Sequence, residues 1–474
     1  MMASPNISFA NIPASIRKPG RYAEFNTALA VRTLPGNAQR TLIVGQRTSA
    51  GSAAALAVMD VFSDQEAATY FGRGSIAHLM VRAALVANPY LSLQVIALDD
   101  AGASVAASNT VTLTGTATTA GVLTVPVGDV LVQVAVAAAD TASIAAAALK
   151  AQFDAQPDLP VTASVAAGVV TLTAKNKGTL GNGLKVSSSC TAAGLSVANT
   201  APNNGATDPT MATALAAVFA SGHNIIVSPY NDTTSLTALR THLDAVSGPL
   251  EKRGAIGVYA HVGTLSNATT LAPTINGGRI TGLLVPSALE NVYEVAAAYA
   301  AVIASEEDPA MPLNTLGLTG IGAPALASRL SRTEQEAALA NGVTPSEVGP
   351  GEVVQIVRAI TTYTKDASGT PDISLLDLTT IRSLDYGRKA IVDRLSSRFA
   401  RGKNTARQRA RIREEVLDVM YRLEELEIWE NVKANEDGVI VETDSQDPTR
   451  VNVRIPADVV NGLHVLALRI DLIL

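Results

Sequence analysis

Five histidines, one cysteine and several glycine-rich turns are the residues through which this chain could do chemistry, and their spacing withholds it. A helical zinc site needs two histidines one turn apart, as in HExxH. His78, His223, His242, His261 and His464 are nowhere so placed. Cys190 stands alone, which excludes intrachain disulfides and cysteine-based metal clusters. No GxSxG elbow occurs. The run GTLGNGLK at 178–185 has the outline of a phosphate loop, but Leu184 stands where the lysine is required and no Ser or Thr follows. Gly317, Gly320 and Gly322 follow GxxGxG order rather than GxGxxG. His261 lies just after an expected strand, but a hydrolytic triad needs two further partners in defined roles, and no partner set is legible. The residues point to no catalytic group, no metal and no cofactor.

Charge is the second chemistry available. The net charge of −6 hides two opposite blocks. Residues 382–413 carry eleven bases against Asp385 and Asp393, and 414–447 carry twelve acids against Arg422 and Lys433. Arg398, Arg401, Lys403, Arg407, Arg409 and Arg411, with Glu424, Glu425 and Glu427, form a candidate docking surface, because complementary patches set register between protein partners. A solvated helix surface with weak intrachain pairs is the plainer reading. Phosphate-backbone binding is a third, but aromatic interleaving is limited to Tyr386 and Phe399 and the acidic block would repel nucleic acid.

The elements that must position these groups follow from periodicity. Strands are expected at 41–46 and 91–98, with helices from Asp64 and at 76–87 between them, an α/β beginning. Residues 101–206 turn rich in Ala, Thr, Ser, Val and Gly; strands are expected at 110–115, 121–127, 130–136, 161–165 and 169–174, with one helix at 143–153. This reads as a β-rich module inserted into the α/β unit. The α/β pattern resumes with strands at 225–228, 255–260 and 280–285 and helices at 235–246, 265–271 and 290–304. Residues 305–350, with five prolines, read as loop, and 353–362 as a strand. One or two helices are expected at 375–400, a long one at 405–429, then a hairpin after Gly438. The domain reading is an arm at 1–40, a discontinuous core at 41–100 and 207–370, the insertion at 101–206, a further domain at 371–465 and a terminal strand at 466–474.

Both ends look built for a partner. At 466–474 the side chains alternate: Leu466, Leu468, Ile470, Leu472 and Leu474 share one face, and Ala467, Arg469, Asp471 and Ile473 the other. An unpaired apolar strand is an aggregation hazard. Either it closes a sheet in its own chain or it is added to a sheet in another copy. Residues 1–36 hold Pro5, Pro13, Pro19 and Pro35, which forbid a long helix, yet also Ile12, Ile16, Tyr22 and Phe25, which favour burial. An extended arm with anchors fits both facts. No apolar run follows a basic start, so no secretory signal is expected.

Hydrophobic residues make up 47% of the chain, charged residues 16% and aromatics 4%. Cores should be built from small side chains, and a surface this poor in charge suits a subunit buried among neighbours. No run approaches the roughly 18 apolar residues of a membrane helix.

Several segments together resemble the contractile-tail sheath proteins of Mu-like bacteriophages. They are Ile12 and Pro13 with IRKPGRY at 16–22, TLIVGQ at 41–46, YFGRGS at 70–75 with MVRA at 80–83, ALDD at 97–100, residues 314–322 and residues 457–474. The resemblance spans nearly the whole chain. It implies a structural subunit, not an enzyme, synthesised and assembled in the host cytoplasm into the virion tail. Its partners would be further copies in stacked six-subunit rings, the tail tube, and baseplate and tail terminator proteins, with no direct nucleic acid and no membrane insertion. It implies an α/β, multidomain α+β fold whose core is subtilisin-like in shape; the catalytic Ser, His and Asp pattern is unmatched, so no hydrolase activity carries over. The arms would complete small sheets in adjacent subunits, with Gly20, Gly36 and Gly462 as pivots. The sheath of a phage-derived bacteriocin or secretion system fits the same segments.

Overall fold

In a computed structural model of the chain, residues 17–23, 34 and 36–473 are described. Ile12, Ile16, Phe25 and Leu474, named above as arm residues, lie outside them.

The apolar runs after residue 40 build one eight-stranded sheet. Its order is Val354–Ile356, Thr344–Val348, Ile280–Leu284, Ile256–His261, Ile225–Val227, Arg40–Gln46, Ser92–Leu98 and Val58–Asp60. The six inner strands are parallel and the two edge strands antiparallel. Parallel strands are covered on both faces, so they read as continuous apolar runs rather than alternations. Arg40–Gln46 shows this: every residue after Arg40 is buried. Ile43, Val95, Val227, Val258 and Leu283 face one layer, formed by the helices Ile76–Ala87 and Val292–Ser305. Leu42, Val44, Ile96, Ile226 and Tyr259 face the other, formed by Met211–Ala217 and Thr233–Val246. Small residues let these layers close up. A Cβ on Gly45 would lie 2.8 Å from the Cα of Ala77, so the helix approaches as near as a bare backbone permits.

Residues 108–199 form two further antiparallel sheets and the helix Ala142–Asp154 around a separate apolar core. Val105 bridges Ala206 and Ser108 bridges Asn203, which sets the two ends of the segment side by side. After the sheet, the helices Leu378–Phe399 and Ala406–Glu425 pack with the hairpin of Ile440–Thr443 and Val451–Arg454 around Ile391, Val416, Met420, Leu423 and Trp429. Asp385 fastens this unit to the sheet: Arg279 reaches both its oxygens at 2.6 and 3.0 Å and Arg388 a third time at 2.8 Å. The fold is mixed α/β.

Two expectations need correction. Residues 305–350 are not all loop: Arg332–Ala340 is a helix and Thr344–Val348 a strand of the main sheet. The expected strand at 353–362 shrinks to Val354–Ile356, because the chain then turns and Ile360 N donates to Thr344 Oγ1 at 3.0 Å. Residues 466–473, for which either a home sheet or another copy's sheet was open, pair with no strand among the described residues and are exposed throughout.

Candidate assembly interface

Open parallel sheets take ligands at the carboxyl ends of their strands, where the strand order reverses. Here that point lies between Arg40–Gln46 and Ile225–Val227, and it is filled by the chain itself. Gln46 is fully buried. Its Nε2 donates to Asp100 Oδ1 and to the Lys177 carbonyl, both at 2.8 Å, and its Oε1 accepts from Tyr230 O–H at 3.1 Å. The glycine run at 178–185 ends up beside this plug. It forms the short 3₁₀ turn Thr179–Gly183, and the Thr179 amide donates to Asp208 Oδ1 at 2.7 Å. A carboxylate thus occupies the place where a phosphate loop would offer its amides.

His261 is equally committed to structure. Its Nδ1 lies 3.3 Å from Asn231 Nδ2, its ring meets Tyr259 edge to face at 5.3 Å, and its Nε2 has no hydrogen-bond partner among the described residues. Burial pushes its pKa down to about 4. No group of three or more potential metal ligands gathers anywhere among the described residues, and none of their helices is long and apolar enough to cross a membrane.

The charge blocks divide into two sets. One is spent within the chain. Arg394 Nη1 lies 3.2 Å from Glu415 and 3.0 Å from Asp418, and Arg398 lies 3.5 Å from Glu415, which ties the two long helices together. Arg409 donates to Asn404 Oδ1 at 2.9 Å, Glu424 accepts from the Val432 amide at 2.9 Å, and Glu425 pairs with Arg422 at 3.4 Å. The other set is Arg401, Lys403, Arg407, Arg411 and Glu427, exposed and without ion pairs among the described residues. The four bases cluster where Leu378–Phe399 turns into Ala406–Glu425, so the turn presents an unneutralised positive end.

The C-terminal segment is anchored and then released. Glu430 N donates to the Asp458 carbonyl at 2.9 Å, Val459 bridges Trp429, and Val460 N donates to the Ile428 carbonyl at 3.2 Å. Beyond this the side chains of Leu466, Leu468, Ile470 and Leu472 are 73–93% exposed. Nearby, the hairpin of Ile440–Thr443 and Val451–Arg454 is a sheet of only two strands, with both outer edges unpaired among the described residues. Packing on the two long helices holds this ribbon in place, while its open edges still offer unpaired backbone groups to a further strand. At the other end, Tyr22 is half exposed and its O–H donates to the Lys18 carbonyl at 2.9 Å. Asn314, which donates to His464 Nδ1 at 2.9 Å, and Asp377, which lies 3.4 Å from His464 Nε2 and is held by Arg358, hold the root of the C-terminal segment; no periodicity or spacing marks them as partners, because they meet only in space.

Comparisons with known proteins bear on the family of the whole chain. Residues 204–362 match the phage tail sheath protein central domain and residues 370–473 the phage tail sheath C-terminal domain. The Mu-like prophage FluMu tail sheath protein of Haemophilus influenzae is 35% identical over 99% of this chain and all of its own length. Among solved structures, a sheath tail protein from Desulfitobacterium hafniense aligns over 94% of this chain and 97% of its own, with TM-score 0.52 and 18% identity. One from Listeria innocua aligns over 92% and 94%, with TM-score 0.51 and 14% identity. At those identities the two structures speak for the fold, whereas the full-length relative speaks for descent: this chain belongs to the phage tail sheath protein family.

Proposed function

We propose that this chain is the structural subunit of a contractile tail sheath, which polymerises as stacked six-subunit rings around a tail tube and shortens to drive the tube through a host envelope. The observation that carries the reading is the exposed alternating arm at 465–473 lying in the same chain as a hairpin with open edges. An arm that satisfies nothing at home, and a sheet short of a strand, are complementary halves of strand addition between copies. Because such a contact is head to tail, it propagates into an open helical lattice.

The finer assignments follow from this reading. Residues 1–40 and 466–474 are the exchanged arms. Residues 41–100 with 207–370 form the core, subtilisin-like in shape, and 371–465 the domain that receives the arms. Residues 101–206 face outward. The positive turn at Arg401, Lys403, Arg407 and Arg411 docks on acidic surface in the assembly. Tail tube, baseplate and terminator proteins are the other partners, and the assembled protein resides in the virion tail.

Deletion of 466–474 tests the reading. The truncated chain should fold with unchanged melting and stay unassembled, whereas the full chain gives hollow striated tubes in negative-stain micrographs. Normal tubes from the truncated chain would refute strand donation.

A further inference from the structure

The exposed arm has a sharp boundary, and one side chain marks it. Leu463 is 75% exposed and Val465 80%. Between them His464 turns inward, with its side chain 15% exposed. Asn314 Nδ2 donates to His464 Nδ1 at 2.9 Å. That bond places the imidazole proton on Nε2, which faces Asp377 Oδ1 at 3.4 Å. Asp377 is itself held rigid, since Arg358 reaches both its oxygens at 2.8 Å. His464 therefore sits in a socket made from a loop of the α/β body (Asn314), the chain after the sheet's edge strand (Arg358) and the residue preceding Leu378–Phe399 (Asp377).

The neighbouring glycine supports the same reading. The sequence suggested Gly462 as a pivot. A Cβ there would lie 2.8 Å from Pro312 Cγ and 2.8 Å from His464 Nε2. Gly462 is thus required for close packing on the docked side of the boundary, which is the opposite of a hinge.

We propose that His464 is the peg that fixes the root and exit direction of the C-terminal arm, so that the arm swings from Val465 onward and not from Gly462. The peg converts a flexible tail into one with a defined starting point. Fixing the root limits the volume the arm explores and so raises its effective concentration at a neighbouring copy's open hairpin edge. That consequence rests on the strand-donation reading; the peg itself does not.

The test uses the full-length, unassembled chain, probed by thermolysin and by amide hydrogen exchange. In the wild type, cleavage should begin at Val465 and beyond. In H464A, N314A and G462A, new cuts should appear before Val460 and Leu463. Exchange across 459–464 should accelerate roughly tenfold or more, the factor expected when one anchoring hydrogen bond to the fold is lost. Global melting should stay unchanged in N314A, the variant that leaves the arm's own sequence intact. Identical cleavage and exchange in the wild type and all three variants would overturn the peg. So would wild-type protection reaching past Val465 in the unassembled chain. Tubes that form after deletion of 466–474 would overturn donation and leave the peg standing, so the two failures are distinguishable.

Discussion

Two stretches of this chain are written in the same alternating pattern and end in opposite states. In Val130–Val136 the alternate valines Val132, Val134 and Val136 are buried at 0, 5 and 3% exposure and Val130 is partly buried, with seven residues paired in register with Gly121–Val127. In 466–473 the pattern is as regular, yet Leu466, Leu468, Ile470 and Leu472 all lie in water. The difference teaches that alternation specifies which face of a strand is apolar but carries no information about its partner. For the valine strand the partner is two residues away in sequence. For the arm no partner exists within the described chain. Burying four such side chains is worth at most roughly 6–12 kcal/mol before the cost of ordering the arm, ample to drive association.

The largest expected effect breaks this comparison with one charge in each strand. Val134→Asp places a carboxylate in a sealed core and should cost roughly 4 kcal/mol or more, unfolding the inserted sheets in a urea titration. Ile470→Asp should leave the same titration unchanged and abolish tubes in micrographs. A destabilised monomer from Ile470→Asp would mean that the arm is partnered within its own chain.

Acid should separate the inserted sheets from the α/β body. All histidines lie outside 101–206. Burial lowers the pKa of each of them, to about 4 for His223 and His261. A depressed histidine pKa means that the unfolded chain binds more protons below about pH 6.5, so stability is full above that value and falls as pH drops toward 4. His223 and His261 can each contribute on the order of 3 kcal/mol to that loss. Glu294 works the other way. Its carboxyl, raised to about 7 by burial, favours the folded state below its unfolded pKa and loses that contribution as pH rises through 7. Glu290, also raised by burial, acts in the same direction; with five histidines against these two carboxyls, the net slope should still be acid-labile. Calorimetry from pH 7 to 5 should show the body's transition moving down while that of the histidine-free insertion holds. Equal shifts would contradict the assignment.

The two sets of charges give a smaller effect. Arg394→Gln leaves Glu415 without its nearest cation and Asp418 with one contact fewer in a half-buried cluster, and should cost about 1–3 kcal/mol in thermal unfolding. Arg407→Glu with Arg411→Glu should change folding stability by no more than about 0.5 kcal/mol. The same pair should weaken tube formation and change its dependence on salt. Unchanged assembly across a salt series would remove the positive turn from the interface.

Much of the fold was legible, and the failures have physical causes. The strands Gly121–Val127, Val130–Val136 and Val169–Ala174 follow the sequence reading to the residue, because antiparallel sheets with one wet face force strict alternation. Val58–Asp60 was missed because three residues hold too little periodicity to be seen. The strand Thr344–Val348 was missed because Pro345 argued against it. The proline is tolerated because its carbonyl still accepts from Val357 N at 3.1 Å and its neighbour Ser346 takes up the antiparallel register with Ile356. The exposed arm was legible as apolar and alternating; its anchor was not, since Asn314, Asp377 and His464 share no sequence proximity.

The helix Arg332–Ala340 offers the finest test, because it lies in the stretch whose five prolines made it read as loop. Ser331 and Glu334 form a capping box: the Glu334 amide donates to Ser331 Oγ at 3.4 Å and Ser331 N donates to Glu334 Oε2 at 2.8 Å. The Ser331 N–H, together with the Ser331 hydroxyl donating to Glu334 Oε2 at 2.7 Å, holds the Glu334 carboxyl below its usual range. Only Ala338 of this helix is fully buried, where it packs with Ala268, Ala272, Leu284 and Val343. A helix with so little burial depends on its cap more than the sealed strands of the insertion depend on any single hydrogen bond. Ser331→Ala should therefore cost about 1 kcal/mol, measured as a lower melting temperature of the body. It should also loosen the following strand, so that exchange at the Val343 and Val357 amides, which donate to the Ala338 and Pro345 carbonyls, quickens while exchange in Val130–Val136 does not. If both regions loosen together, the α/β body and the inserted sheets share one cooperative unit and the contrast between them is only one of sequence.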